Sequence, residues 1–233
     1  MILCVTPNPA LDRTLVVTNF ALGQVFRAES AMAVAGGKGV NVARACRVLG
    51  VEATCAGFIG GNTGRLIAES AEREGLKSSW TWIDGDTRTC TIIADPATGE
   101  ATVVNEQGPS VTESDWGRLQ TQILRAVAAV NQVCFSGSLP PGSPVSSYVD
   151  LVKKVRGSGK PVWIDTSGAA LKAVQTLPQI GIKINGDELG AILGETISDA
   201  AAAAAAANRL RQSGTESVVV TLGSKGAVMA HSA

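Results

Sequence analysis

Short apolar runs alternate with helix-length segments along most of this chain, and few folds accept that rhythm. The apolar runs are Leu3 to Thr6, Ala53 to Ile59, Gln132 to Phe135, Val162 to Asp165, Ile182 to Ile184 and Ser217 to Thr221. Between them lie helical stretches from Lys38 to Leu49, Thr63 to Glu74, Ser114 to Val130, Val145 to Arg156 and Asp187 to Leu193. Parallel strands need a long crossover between them, so this alternation predicts an α/β fold with a doubly wound, mainly parallel sheet flanked by helices. At 233 residues the chain suits one domain over 1–233 with a substantial core. The eight alanines from Ala200 to Ala207, with Ser198 or Asp199 as cap, predict one more helix of little chemical content.

Two stretches break the rhythm. Leu15 to Ala33 and Thr89 to Asn105 alternate in the manner of antiparallel strands, the second around a turn at Asp95-Pro96-Ala97-Thr98-Gly99. Together, at about 13–33 and 88–106, they predict a small antiparallel β sheet off the main one, either a lid or an edge hairpin. Leu15-Val16-Val17 and Thr91-Ile92-Ile93 put apolar side chains on both faces of a sheet too small to bury them. A partner lid covering one face, hence a homodimer, is the expectation.

Composition narrows the function. Twenty basic and twenty acidic residues give a net charge of zero, with no basic field for nucleic acid or an anionic membrane. No apolar run approaches the ~20 residues of a membrane span. Ile2-Leu3-Cys4-Val5 begins a strand without a basic leader, so a cytoplasmic protein is expected. The five cysteines, Cys4, Cys46, Cys55, Cys90 and Cys134, form no close pair and read as buried reduced thiols. His231 is the one histidine, expected to be solvated, which removes histidine-based triads and most zinc catalysis.

Chemistry-bearing residues gather at the predicted strand ends, where open α/β sheets bind ligands. Ala35-Gly36-Gly37-Lys38-Gly39-Val40-Asn41 places three glycines, a cation and an amide at a helix start. Unpaired helix N–H groups there favour an anion, so the loop suits a phosphorylated, hydroxyl-rich small molecule, or is a glycine turn. It is no P-loop, because Met32 stands where the first glycine belongs and Gly39 follows Lys38. The dinucleotide fingerprint fails for want of its closing glycine. Asp12 either chelates sugar hydroxyls or caps a turn. Arg88 can fork onto a phosphate. Ser138 lies in the stiff loop Ser136-Gly137-Ser138-Leu139-Pro140-Pro141-Gly142. Asn185 and Glu188, three apart after Lys183, suit either a helix cap or the hydration shell of magnesium. Thr221-Leu222-Gly223-Ser224-Lys225-Gly226 fits a nucleotide turn or a hairpin into Ala227-Val228-Met229.

Taken in order, these pieces resemble the ribokinase-like (PfkB) carbohydrate kinases. The branch is that of 1-phosphofructokinase, tagatose-6-phosphate kinase and the minor 6-phosphofructokinase. The resemblance rests on Thr6-Pro7-Asn8-Pro9-Ala10-Leu11-Asp12, the Ala35 to Ala43 block, Asn105-Glu106-Gln107-Gly108-Pro109, Ser136 to Pro140, Asn185 with Glu188, and Thr221-Leu222-Gly223. It implies a ribokinase-like fold and ATP-dependent phosphorylation of a ketose monophosphate, with fructose 1-phosphate as first substrate. Under it, Asp12, Gly36, Gly37, Lys38 and Asn41 hold sugar hydroxyls, Arg88 and Lys38 are candidates for the sugar's phosphate, and Ser138 lines the pocket. It implies that Asn185 and Glu188 order Mg2+ through water and the ATP phosphates, with Lys183 nearby. It assigns Thr221, Gly223 and Gly226 to the border of the nucleotide, and a dimer to the lid. One signature is missing: no Gly-x-Gly-Asp occurs in the 233 residues. In that family its aspartate is the general base, here expected beyond Ala233, so the chain alone is expected to be inactive or a sugar-phosphate binder.

Overall fold

The first strand, β1 (Ile2–Thr6), lies inside the main sheet of the computed structural model, which describes residues 1–231. On one side β1 pairs in parallel with β4 (Ala53–Gly60), and β4 with the edge strand β5 (Lys77–Ile83). On the other it pairs with β8 (Gln132–Ser136), followed by β9 (Val162–Asp165), β10 (Gly181–Asn185) and β11 (Ser217–Thr221). The far edge strand, β12 (Ala227–His231), is antiparallel to β11. The chain therefore leaves β1 in one direction and later returns to its other side. That reversal lies between β1 and β8, where such sheets open a crevice at their carboxyl ends.

Helices cover the sheet unequally. On one face lie α3 (Glu113–Val127), α4 (Val145–Gly157), α5 (Gly168–Val174), α6 (Gly186–Leu193) and α7 (Ala200–Gln212). Leu119, Ile123, Leu151, Val155 and Ala203 bury there against Leu3, Val5, Val133, Ile164 and Val218. Edge-on contacts link Phe58 to Trp116, Trp116 to Tyr148 and Tyr148 to Phe135, with centroids 5.3, 6.4 and 5.9 Å apart. On the other face, α1 (Lys38–Val48) and α2 (Gly61–Arg73) pack Val40, Ala43, Ile67 and Ala71 on Cys4, Cys55 and Ile59. Those two helices pack mainly on β1, β4, β5 and β8.

The expected hairpins form a second, four-stranded sheet in the order β3, β2, β6, β7. Strand β2 (Ala10–Val16) pairs antiparallel with β3 (Ser30–Gly36), and β6 (Thr89–Asp95) with β7 (Glu100–Asn105). The two hairpins join through a parallel pair, β2 with β6, so the lid sheet is antiparallel within each hairpin and parallel at its centre. Both hairpins leave the main sheet the same way, which makes their inner strands run alike.

Other details differ from expectation for local reasons. Strand β2 starts at Ala10, earlier than the alternation showed, and residues 17–29 form a loop rather than a strand. Asp95 pins that loop by accepting from the Asn19 and Phe20 N–H groups, each at 3.0 Å. Strand β5 escaped notice because Ser79 and Thr81 give it a polar face, which Gln122 of α3 satisfies. Four cysteines are buried, Cys134 is partly buried, and all are free thiols. His231 is exposed, yet its Nδ1 lies 2.6 Å from Ser217 Oγ.

Candidate active site

A cleft of about 790 Å³ opens between the carboxyl ends of β1 and β8 and the underside of the lid. Asp12, Gly37, Lys38, Asn41, Arg88 and Ser138 all line it, so six side chains or backbones singled out from sequence meet in one place. Asn8, Cys90, Asn105, Glu106, Gln107 and Ser167 complete much of the wall.

Asp12 hangs from β2, level with Cys90 of β6 and Val34 of β3. Gly36 does not line the cleft. A Cβ there would lie 2.2 Å from the Asp12 carboxyl carbon, so glycine is what lets the carboxylate sit against the loop. Burial raises the Asp12 pKa above the usual aspartate value. Arg88 and Arg44 pull the other way, as do hydrogen bonds from the Cys90 thiol and the Gly37 N–H. The result is a half-buried carboxylate facing a polar cleft.

Arg88 is threaded between the lid and the first loop. Its Nε and Nη2 each donate to the Asn8 carbonyl at 3.3 Å, and its Nη1 to Asn105 Oδ1 and the Glu106 carbonyl at 3.3 Å. These long bonds position the guanidinium without saturating it. Asn8 in turn donates to the Gln107 carbonyl at 3.0 Å and approaches Ser138 Oγ at 3.5 Å, tying lid and Ser138 loop together. Thr166 Oγ1 fixes that loop by donating to the Gly137 carbonyl at 2.8 Å.

Lys38 starts α1, and its Nζ lies 2.7 Å from Asp165 Oδ1. The other oxygen of Asp165 lies 3.2 Å from Lys183 Nζ. Asp165 was not singled out from sequence. It ends the buried strand β9, the same position that drew attention to Asn185 on β10 and Thr221 on β11, and that rule would have found it.

The residues assigned to a nucleotide stand farther along the same edge and do not line the cleft. Asn185 and Glu188 form a complete capping box for α6. The Asn185 side chain accepts from the Glu188 N–H at 2.8 Å, and Glu188 Oε2 accepts from the Asn185 N–H at 3.2 Å. Thr221 ends β11, and Gly223 and Gly226 hold positive φ in the exposed turn after it. Lys183 joins this group to the cleft through Asp165. Among the described residues, no cluster of three or more histidine, cysteine or acidic side chains could hold a metal ion directly.

The model of the pfkB family of carbohydrate kinases matches residues 8–233. The chain belongs to that family. Among solved structures of such kinases, phosphofructokinase-2 from Escherichia coli in complex with fructose-6-phosphate superposes with a TM-score of 0.91 at 28% identity. That match covers 99% of this chain and 77% of the other. A tetrameric inhibited form of the same enzyme gives 0.90 at 28%, covering 99% and 76%. A Thermotoga maritima protein described as a possible 1-phosphofructokinase gives 0.89 at 27%, covering 99% and 74%. The fold expected of a pfkB kinase is therefore the fold observed, with its parallel main sheet and smaller lid sheet. No described helix is long and apolar enough to cross a membrane.

Proposed function

We propose that this pfkB kinase fold binds a ketose monophosphate in the lid cleft and serves its ATP-dependent phosphorylation on a free primary hydroxyl. Fructose 1-phosphate is the first substrate named, giving fructose 1,6-bisphosphate. The observation that carries the reading is the meeting of hydroxyl partners, Asp12 and Asn41, with two cations, Lys38 and Arg88, in one cleft. An ionised Asp12 accepts from sugar hydroxyls, and the Asn41 amide fixes another. Arg88 offers a planar fork to the sugar's phosphate, and Lys38 a mobile charge beside it.

The nucleotide reading rests on Lys183, Asn185, Glu188, Thr221, Gly223 and Gly226 lying at the ends of neighbouring strands, next along the edge from the cleft. Phosphoryl transfer depends mainly on positioning and charge neutralisation, which this adjacency serves. Glu188 Oε1 stays outside the capping box, so Glu188 fits a magnesium ion held through water, beside the Asn185 cap. Magnesium, when bound, would neutralise charge on the transferred group. Lys183 and Lys38, sharing Asp165, would border the path between the two ligands. The exposed apolar side chains of the lid support a homodimer, and the fold supports a cytoplasmic setting.

A second substrate reading, fructose 6-phosphate, is favoured by the Escherichia coli neighbour, whose complex contains that sugar. Tagatose 6-phosphate presents similar groups. A third reading is a sugar-phosphate binder without transferase activity. Calorimetric titration with the three sugar phosphates, run beside an ADP-release assay, tests these readings. Affinity for none of the three would overturn the substrate class. Affinity without ADP release would select the binder.

A further inference from the structure

Arg44 lies one turn into α1 from Asn41, outside the cleft wall, and all three nitrogens of its guanidinium are engaged. Nε and Nη2 grip the two carboxylate oxygens of Glu74 at 2.6 and 3.1 Å. Nη2 also donates to the Ala35 carbonyl at 2.7 Å, and Nη1 donates to Asn41 Oδ1 at 2.5 Å. Ser70 closes the circuit, accepting from the Ala35 N–H at 2.9 Å and donating to Glu74 Oε1 at 3.2 Å. Both backbone polar groups of Ala35, the last residue before Gly36 and Gly37, are therefore held by side chains from α1 and α2.

The chemistry of the pair fixes one further thing. A guanidinium has five donors and no acceptor, so the end of the Asn41 amide that faces it must be the oxygen. The Nδ2 end, with its two donors, is left for the cleft that Asn41 lines. An asparagine without such a partner can turn over and present either end.

We propose that Arg44, oriented by Glu74, is a positioning residue that locks Asn41 as a hydrogen-bond donor to the sugar. The inference rests on the reading of the cleft as a sugar-phosphate site and deepens it. At the Asn41 position the site then selects a ligand oxygen that accepts, and the selectivity comes from two residues that do not touch the ligand. The charge-assisted, two-point grip of Glu74 keeps the guanidinium from following the ligand.

A double-mutant cycle tests the coupling. Fructose 1-phosphate affinity is measured by calorimetry for the unmodified chain, Asn41→Ala, Arg44→Met and the double variant. Each single change weakens binding roughly three- to tenfold, the worth of one hydrogen bond to the ligand. The double variant binds nearly as well as the weaker single one, because Arg44 acts through Asn41. Glu74→Gln, which keeps volume and one accepting oxygen, gives a smaller loss in the same direction, while ATP affinity is unmoved by any of them. If thermal unfolding shows Arg44→Met to be unfolded, Arg44→Lys takes its place in the cycle. Losses that simply multiply in the double variant overturn the inference while leaving the cleft reading intact. An unmodified chain that binds no sugar phosphate overturns the cleft reading, and this inference with it.

Discussion

Lys38 Nζ lies 2.7 Å from Asp165 Oδ1, so the cation expected to greet a phosphate already has a partner. Asp165 also faces Lys183 at 3.2 Å, so one carboxylate is shared by two ammonium groups. Lys38 is about half exposed, and the pair is open enough to water to be exchanged for a better partner.

Asp165→Asn should release both lysines. Affinity for a sugar phosphate without nucleotide should rise by roughly two- to fivefold, and stability should change by less than ~1 kcal/mol, as for exposed ion pairs. Calorimetry and thermal unfolding read the two effects. A loss of sugar-phosphate affinity would show that Asp165 itself touches the ligand or orients Lys38 toward it.

Asp12 gives a prediction with a defined sign. Its folded-state pKa is raised by burial, so the unfolded chain loses that proton at lower pH than the folded one does. Stability from this group falls as pH rises from the ordinary aspartate value through the raised one, and is flat above it. Asp12→Asn removes the cost of a buried charge, so at neutral pH the variant should unfold at the same temperature or higher while binding sugar phosphate at least tenfold more weakly. In the unmodified chain, binding should weaken on acidification, starting above the usual aspartate range. Unfolding midpoints against pH, beside titrations with fructose 1-phosphate, check both halves.

Much of this was legible in the sequence because it depends on local rules. The main-sheet strands other than β5, and the helices α1, α3, α4 and α7, follow from apolar period, caps and glycine stops, and the Thr112 cap of α3 is a complete capping box with Asp115. The Asn185 and Glu188 spacing, left open between cap and magnesium shell, is a cap here, with one Glu188 oxygen free of it. What could not be read depends on tertiary neighbours. The parallel contact of β2 with β6 is set by where two distant hairpins leave the main sheet. The engagement of Lys38 follows from Asp165 standing 127 positions away. Strand β5 hides its polar face against Gln122, which no period in its own residues announces.

The lid makes a third prediction, corrected in its details. Leu15, Val16, Ile92 and Ile93 are partly buried, and the apolar surface left open lies instead on β3 and β7. Met32, Val103 and Val104 are 60%, 51% and 57% exposed. Met32 and Val103 stand in one cross-strand row through Thr14 and Ile92, and Val104 lies on the opposite face; a second lid packed over Met32 and Val103 is expected to give a homodimer. Light scattering at tens of micromolar should show twice the chain mass, and Met32→Lys with Val103→Lys should return it to one chain without altering the main-sheet core. A monomeric unmodified chain removes the lid from assembly.

The carboxylates around the cleft argue the final prediction. Arg88 and Arg44 draw on the charge of Asp12, Glu106 Oε2 accepts from the Thr89 N–H at 2.7 Å, and Asp165 lies within 3.2 Å of two lysines. These three carboxylates are expected to bind or position ligand groups rather than to take the proton of the reacting hydroxyl. General-base help is typically worth ~10²–10⁴ in rate. A polypeptide of residues 1–233 is therefore expected to bind sugar phosphate yet release ADP at least about a hundredfold more slowly than an ordinary sugar kinase. Sugar-phosphate titration and ADP release should be measured on the same preparation, so that a dead sample is told from an intact binder. Turnover at an ordinary rate would place the base among these residues, and Asp12→Asn, Glu106→Gln and Asp165→Asn, assayed in turn, would identify which carboxylate it is.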